Sequence, residues 1–150
     1  MMRLVLLATL GSAALLLGAY GFQHLGGMAP CKLCLWQRWP HATAIVIGLV
    51  IMVTGEVKAA WLGAVAALST AAIGLYHVGV EQGWWEGPTS CTSSSVSGMS
   101  AQDLMNQILA APIVRCDEIA WQLAGISMAG WNAIASLLLA AIWIQAARRA

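Results

Sequence analysis

Four stretches without a single Asp, Glu, Lys or Arg govern what this 150-residue chain can become. They are the residues between Arg3 and Lys32, then Trp39–Gly55, Ala59–Val80 and Ile119–Ala147. A helix needs about 20 mainly apolar residues to cross a hydrocarbon core, and each stretch is long enough. The pattern predicts spanning helices near Leu4–Phe22, Pro40–Gly55, Ala59–Tyr76 and Ile126–Ala146. The second is the shortest. Barrel strands would alternate apolar and polar residues over about ten positions, and runs such as Ala135–Ala141 do not. Composition agrees: 60% of the residues are hydrophobic and 9% charged, whereas a soluble domain is roughly 25% charged. A short soluble chain could not cover so much apolar surface. A net charge of +1 gives no footprint for a nucleic acid. The expected fold is all-α: a four-helix transmembrane bundle, one integral membrane domain over residues 1–150.

The first helix could instead be a signal peptide, with Arg3 as its basic flank, but its apolar run is long for that role. With four spans both termini share a side. That side carries Arg3, Lys58, Arg148 and Arg149, and the other carries Lys32, Arg38 and Arg115. The terminal arginine pair and the short Glu56–Lys58 turn favour cytoplasmic termini. Residues 23–39 and 80–125 then face outward, into the periplasm if the cell is a bacterium with an inner membrane.

All four cysteines, Cys31, Cys34, Cys91 and Cys116, fall in these outward segments, where disulfides persist. Two structural disulfides are the plainest reading. A C-x-x-C pair closes so small a loop that it restrains the unfolded chain little, and such pairs more often do redox work or bind metal. Zinc sites usually repeat the short spacing, whereas Cys91 and Cys116 are far apart. A thioredoxin-like domain would need a soluble βαβ context. A thiol-disulfide enzyme and a non-enzymatic four-cysteine metal-binding or scaffold protein are the two classes left open.

The neighbours of the short pair add chemistry. Lys32 and Arg38 flank it, and a nearby cation or a helix N-terminus favours the thiolate. If Cys34 to Arg38 is helical, both lie on one face, although Pro40 disfavours helix just before it. Trp36 and Trp39 suit the membrane boundary. In the second outward segment Cys91 sits among Ser, Thr and Gly. Ser100–Leu109 predicts a short helix capped by Ser100, with an apolar stripe of Leu104, Met105, Ile108 and Leu109 suited to the interface. His24 and His41 read as structural.

Together these residues resemble the DsbB-type disulfide bond formation family. The resemblance rests on Phe22-Gln23-His24, on Pro30-Cys31-x-Leu33-Cys34-x-x-Gln37-Arg38, on Tyr76-His77 and Cys91, and on Cys116-Asp117-Glu118 followed by Trp121, Met128 and Trp131. It covers nearly the whole chain. Gln37 stands where some members carry an acid, and Lys32 where an apolar residue is common. The resemblance implies a multi-pass quinone reductase of the bacterial inner membrane, using ubiquinone or menaquinone. It makes Cys91–Cys116 the disulfide that meets a periplasmic DsbA-like thioredoxin-fold oxidase, and Cys31–Cys34 the pair that passes electrons onward. Cys34 is then the cysteine that reacts with quinone, Arg38 the residue that stabilises the thiolate and the developing oxyanion, and His77 a neighbour of the quinone. Trp121, Met128 and Trp131 become candidate pocket walls, beside the helix-packing and interface roles that are more common for such residues. No metal and no nucleic acid enter this expectation.

Overall fold

The computed structural model describes residues 1–88, 100–110 and 114–150. Cys91 lies outside the described residues, as do the side chains of Leu104 and Ile108 in the expected apolar stripe. The elements are α1 (Met2–His24), α2 (Lys32–Thr54), a 3₁₀ turn (Val57–Ala59), α3 (Ala60–Glu81), α4 (Ala101–Ala110), β1 (Gln122–Leu123), β2 (Ile126–Ser127) and α5 (Met128–Arg148). Three segments are long and apolar enough to cross a membrane: Met2–His24, Val57–Glu81 and Met128–Arg148.

α2 differs from the expectation and does not join those three. It has 23 residues but begins at Lys32 rather than Pro40, and its first half brings in Gln37, Arg38 and His41. Its C-terminal half stays apolar, with Val46, Leu49, Val50 and Val53 exposed. The helix starts early because Cys31 caps it: the Cys31 sulfur accepts the Cys34 backbone N–H at 3.2 Å. Pro40 lacks an N–H and removes one rung of the ladder, yet the helix continues through it. Thr43 Oγ1 bonds the Trp39 carbonyl at 3.0 Å just beyond. Gly55, at φ 74°, ends the helix, and its N–H returns to the Ile51 carbonyl at 2.8 Å.

Each long helix packs on two others, in the order α1–α2–α3–α5 and back to α1. Val5, Ile51, Ala60, Ala64, Trp143 and Ala147 form one core cluster. They come from the start of α1, the end of α2, the start of α3 and the end of α5, so both chain termini and the α2–α3 turn share one end of the molecule. The opposite end holds a second cluster, Cys31, Leu33, Val80 and Cys116. Small residues let the helices approach, as lipid-embedded packing requires. A Cβ at Gly63 would stand 2.6 Å from the Trp143 ring, and one at Gly48 would collide with Thr9. The outer faces expose Leu6, Leu10, Leu17, Leu62, Val65 and Leu138. A helix of a soluble protein would turn polar residues outward instead.

The all-α expectation missed one small element. Gln122–Leu123 pairs antiparallel with Ile126–Ser127 through Ala124 and Gly125, at φ 53° and 76°. Positive φ at both central positions gives the tight turn that matches strand twist. The hairpin delivers Ser127 as the cap of α5, where its hydroxyl accepts the Gly130 N–H at 3.2 Å. The expected short helix is present as α4. Ser100 Oγ accepts the Asp103 N–H at 3.2 Å at its start.

Candidate functional site

The site grows from the first turns of α2. Cys31 and Cys34 belong to the outward 23–39 segment and hold their sulfurs 2.9 Å apart. The Cys31–Cys34 hydrogen bond does most to separate their acidities: it raises Cys31, aided by burial, and lowers Cys34. Arg38 also favours the Cys34 thiolate.

Cys116 is buried in the same apolar cluster as Cys31. Its flank is clamped by Arg115, whose Nε and Nη2 donate to Asp117 at 3.0 and 2.6 Å, with Glu118 at 3.3 Å. That guanidinium holds Asp117 below the ordinary carboxylate range. The structure thus brings Cys31, Cys34, Arg38, His77 and Cys116 to one end of the helices, while Cys91 lies outside the described residues.

His77, on α3, faces Cys31 and Gln37 of α2 on one hand and Cys116 on the other. Its Nε2 lies 3.6 Å from the Cys31 sulfur, 3.2 Å from the Cys116 carbonyl and 3.8 Å from Glu81. Its Nδ1 lies 3.1 Å from Gln37 Nε2. Gln37 also donates to the Leu33 carbonyl at 3.3 Å. A carbonyl only accepts, so that contact fixes which end of the Gln37 amide is nitrogen. His77 Nδ1 therefore accepts, and neutral His77 carries its proton on Nε2, toward the Cys116 carbonyl and the Cys31 sulfur. Gln37, which at sequence level is only a departure from an acid, is a buried hub that a carboxylate could not replace bond for bond.

Arg38 reaches α1. Its Nη1 donates to Gln23 Oε1 at 2.6 Å, its Nη2 to the Ala19 carbonyl at 3.4 Å, and its guanidinium lies 4.7 Å from the Tyr20 ring centre. Nε is buried without a partner. Lys32, the second cation, lies 5.7 Å from the Trp36 ring centre.

A cavity of about 430 Å³ opens beside these groups. Cys31, Cys34, Gln37, Arg38, His41 and His77 line one side, and Phe22, Trp121, Met128, Trp131 and Asn132 line others. Trp121, Met128 and Trp131 take the wall positions expected of them. His41, read as structural, is buried, bonds Asn132 at 2.9 Å and also lines the cavity. Sequence reasoning missed Asn132 altogether. The signal for His41 was available, since Cys34, Gln37, Arg38 and His41 recur at helical spacing on one face.

The model of the family described as disulfide bond formation protein DsbB matches residues 2–146. The chain belongs to the DsbB family. A disulfide bond formation protein B of Stutzerimonas stutzeri is 31% identical over 152 residues, covering 93% of this chain and 90% of its own. Another from Verminephrobacter eiseniae is 31% identical over 172 residues, covering 99% and 89%. An uncharacterised protein of Rickettsia prowazekii is 28% identical over 126 residues, covering 81% and 73%. No solved structure matches. Membership in the DsbB family makes this chain a disulfide bond formation protein.

Proposed function

We propose that this DsbB-family protein reoxidises a periplasmic DsbA-like thioredoxin-fold protein and passes the electrons to a membrane quinone. The observation that carries the reading is an apolar cavity lined by both Cys34 and Arg38, with Cys31 in the cluster that holds Cys116. A cavity of about 430 Å³ with few polar groups suits a flat, mostly apolar ring bearing oxygens. When bound, the quinone supplies an acceptor for two electrons and two protons.

The protein's share is thiol exchange and charge placement. A partner thiolate attacks the Cys91–Cys116 disulfide, and its second thiol resolves the mixed disulfide, leaving the partner oxidised and this pair reduced. The Cys116 thiolate then attacks Cys31, breaking Cys31–Cys34 and releasing Cys34 as a thiolate at the cavity wall. Attack of Cys91 on Cys116 re-forms the first disulfide and frees Cys31, so two electrons rest on the Cys31–Cys34 pair. Adjacent Cys31 and Cys116 suit this route, and the depressed Cys34 suits its part as leaving group. Arg38 stabilises negative charge at Cys34 and, through the charge of its guanidinium, on a bound oxygen. The whole is a multi-pass inner-membrane protein with α2 as a fourth span, cytoplasmic termini, and α4 at the outer interface.

A metal site is the second reading, because the ligand atoms of Cys31, Cys34 and His77 all lie within 4.8 Å of one another. The Gln37 bond argues against it. It keeps the His77 proton on Nε2, the atom that would have to coordinate.

The test is differential alkylation of pre-reduced protein after quinone is added. Cys116→Ala should still lose the two thiols of Cys31 and Cys34, whereas Cys34→Ala should show no quinone-dependent thiol loss. Full oxidation of Cys34→Ala by quinone would refute the division of labour. Four thiolates holding one zinc in the parent protein would favour the metal reading.

A further inference from the structure

Cys116 lies in a stretch, residues 114–121, that has neither helix nor strand. No backbone ladder sets the position of its sulfur, yet the exchange proposed above needs it beside Cys31. In that step the Cys116 thiolate bonds to Cys31, the Cys31–Cys34 bond breaks, and the electron pair leaves on Cys34. A loosely held Cys116 would lose the orientation such a step depends on.

His77, on α3, supplies a tie. Its Nε2 lies 3.2 Å from the Cys116 carbonyl and 3.6 Å from the Cys31 sulfur. A carbonyl only accepts, so the shorter bond exists only while Nε2 carries the ring hydrogen. Which nitrogen carries it is set by the partner of the other one. That partner is Gln37 Nε2, 3.1 Å from His77 Nδ1, and the Leu33 carbonyl, 3.3 Å from the same atom, fixes it as the amide nitrogen. Gln37 therefore donates to Nδ1 and keeps the hydrogen on Nε2. Two carbonyls at opposite ends of the chain of bonds, those of Leu33 and Cys116, require the same tautomer. The other end of the amide is held as well, because Gln37 Oε1 accepts from Asn132 at 2.7 Å. Turning the amide over would set oxygen against the Leu33 carbonyl and nitrogen against nitrogen at Asn132. Gln37 and His77 are both buried, so bulk water does not compete for these bonds. The Glu81 carboxylate, 3.8 Å from His77 Nε2, is beyond hydrogen-bond reach.

We propose that Gln37 is a positioning residue for the exchange between the two cysteine pairs: by holding His77 in its Nε2–H form, it makes one ring N–H pin the Cys116 main chain beside the Cys31 sulfur. This rests on the exchange step above and is independent of the quinone.

The test uses full-length protein carrying Cys34→Ser and Cys91→Ser, which keeps only Cys31 and Cys116. Equilibration with glutathione buffers, read by mass after alkylation, gives the effective concentration of the two thiols. His77→Phe keeps a ring but no donor, and should lower it about tenfold, the value of one net hydrogen bond. His77→Gln keeps an N–H and should retain most of it. Gln37→Leu should lower it in the parent background but change it by less than about twofold beside His77→Phe, since Gln37 acts through that ring. Nitrogen-15 resonances of histidine-labelled protein, with His77→Gln identifying the signal, should place the His77 hydrogen on Nε2. That reading decides the matter even where a variant misfolds. A hydrogen on Nδ1, an unchanged His77→Phe, a His77→Gln that falls as far as His77→Phe, or a Gln37→Leu effect that is undiminished beside His77→Phe would each overturn the assignment while the exchange reading stands. If Cys31 and Cys116 form no disulfide in the parent background, the exchange reading falls and this assignment with it.

Discussion

At the residue scale, Arg38 is the clearest case of one side chain in two roles. Its terminal nitrogens tie α2 to α1, and the same side chain lines the cavity beside Cys34. With both terminal nitrogens engaged on α1, a two-pronged grip on a ligand does not fit, and lysine is a poor substitute because one ammonium cannot reproduce two anchors set by a planar fork. Arg38→Lys should be mildly to moderately impaired, and Arg38→His severely. Losing one charge-assisted bond of about 1.5–3 kcal/mol lowers kcat/KM for quinone roughly tenfold to a hundredfold. Steady-state kinetics over a range of quinone concentrations, with protein level measured in the same membranes, check this. The cysteines give a pH expectation. Cys34 is depressed, so its thiolate persists as pH falls and vanishes only below its lowered value; Cys31 is raised, so it gives up its proton after Cys34 as pH rises. In reduced protein, iodoacetamide should label Cys34 first at every pH near neutrality. Preferential labelling of Cys31, read by peptide mass, would contradict the ordering. Sequence spacing placed Cys34 and Arg38 on one face, but the Gln37–Asn132–His41 chain joins α2 to α5 and depends on packing that no local pattern records.

At the element scale, charge-free runs located α1, α3 and α5 to within a few residues, because a lipid solvent imposes a length requirement that composition reveals directly. α2 was harder. Its polar first third hid the helix start, and Pro40 suggested a boundary where the helix in fact continues. The Ala124-Gly125 hairpin was invisible because a two-residue strand has no periodicity to read. Contact between α3 and α5 relies on Gly63 lying flat against Trp143, where a Cβ would stand 2.6 Å from the ring. Gly63→Val should therefore destabilise the fold by about 1–3 kcal/mol through overpacking. Thermal unfolding in detergent should show a lower midpoint. An unchanged midpoint would mean that α3 and α5 do not meet as described.

At the scale of the whole molecule, the helices have opposite ends for opposite tasks. One end is an apolar core around Trp143 with both termini; the other gathers Cys31, Cys34, Cys116, His77 and the cavity. The sequence already separated these ends, since every cysteine lies between predicted spans rather than within one. What it could not supply was the depth of the cavity, because Met128, Trp131 and Asn132 meet His41 there only when α5 docks on α3 and α1 and so faces α2. The central claim is that this end couples thiol oxidation to quinone reduction through Cys34. The most direct measurement is anaerobic quinone reduction by the purified protein, followed optically, with a reduced DsbA-like protein as the electron donor. The account predicts one quinone consumed for each partner disulfide formed in the parent protein, and no consumption above background with Cys34→Ala. Partner oxidation without quinone consumption, or undiminished turnover by Cys34→Ala, would contradict it.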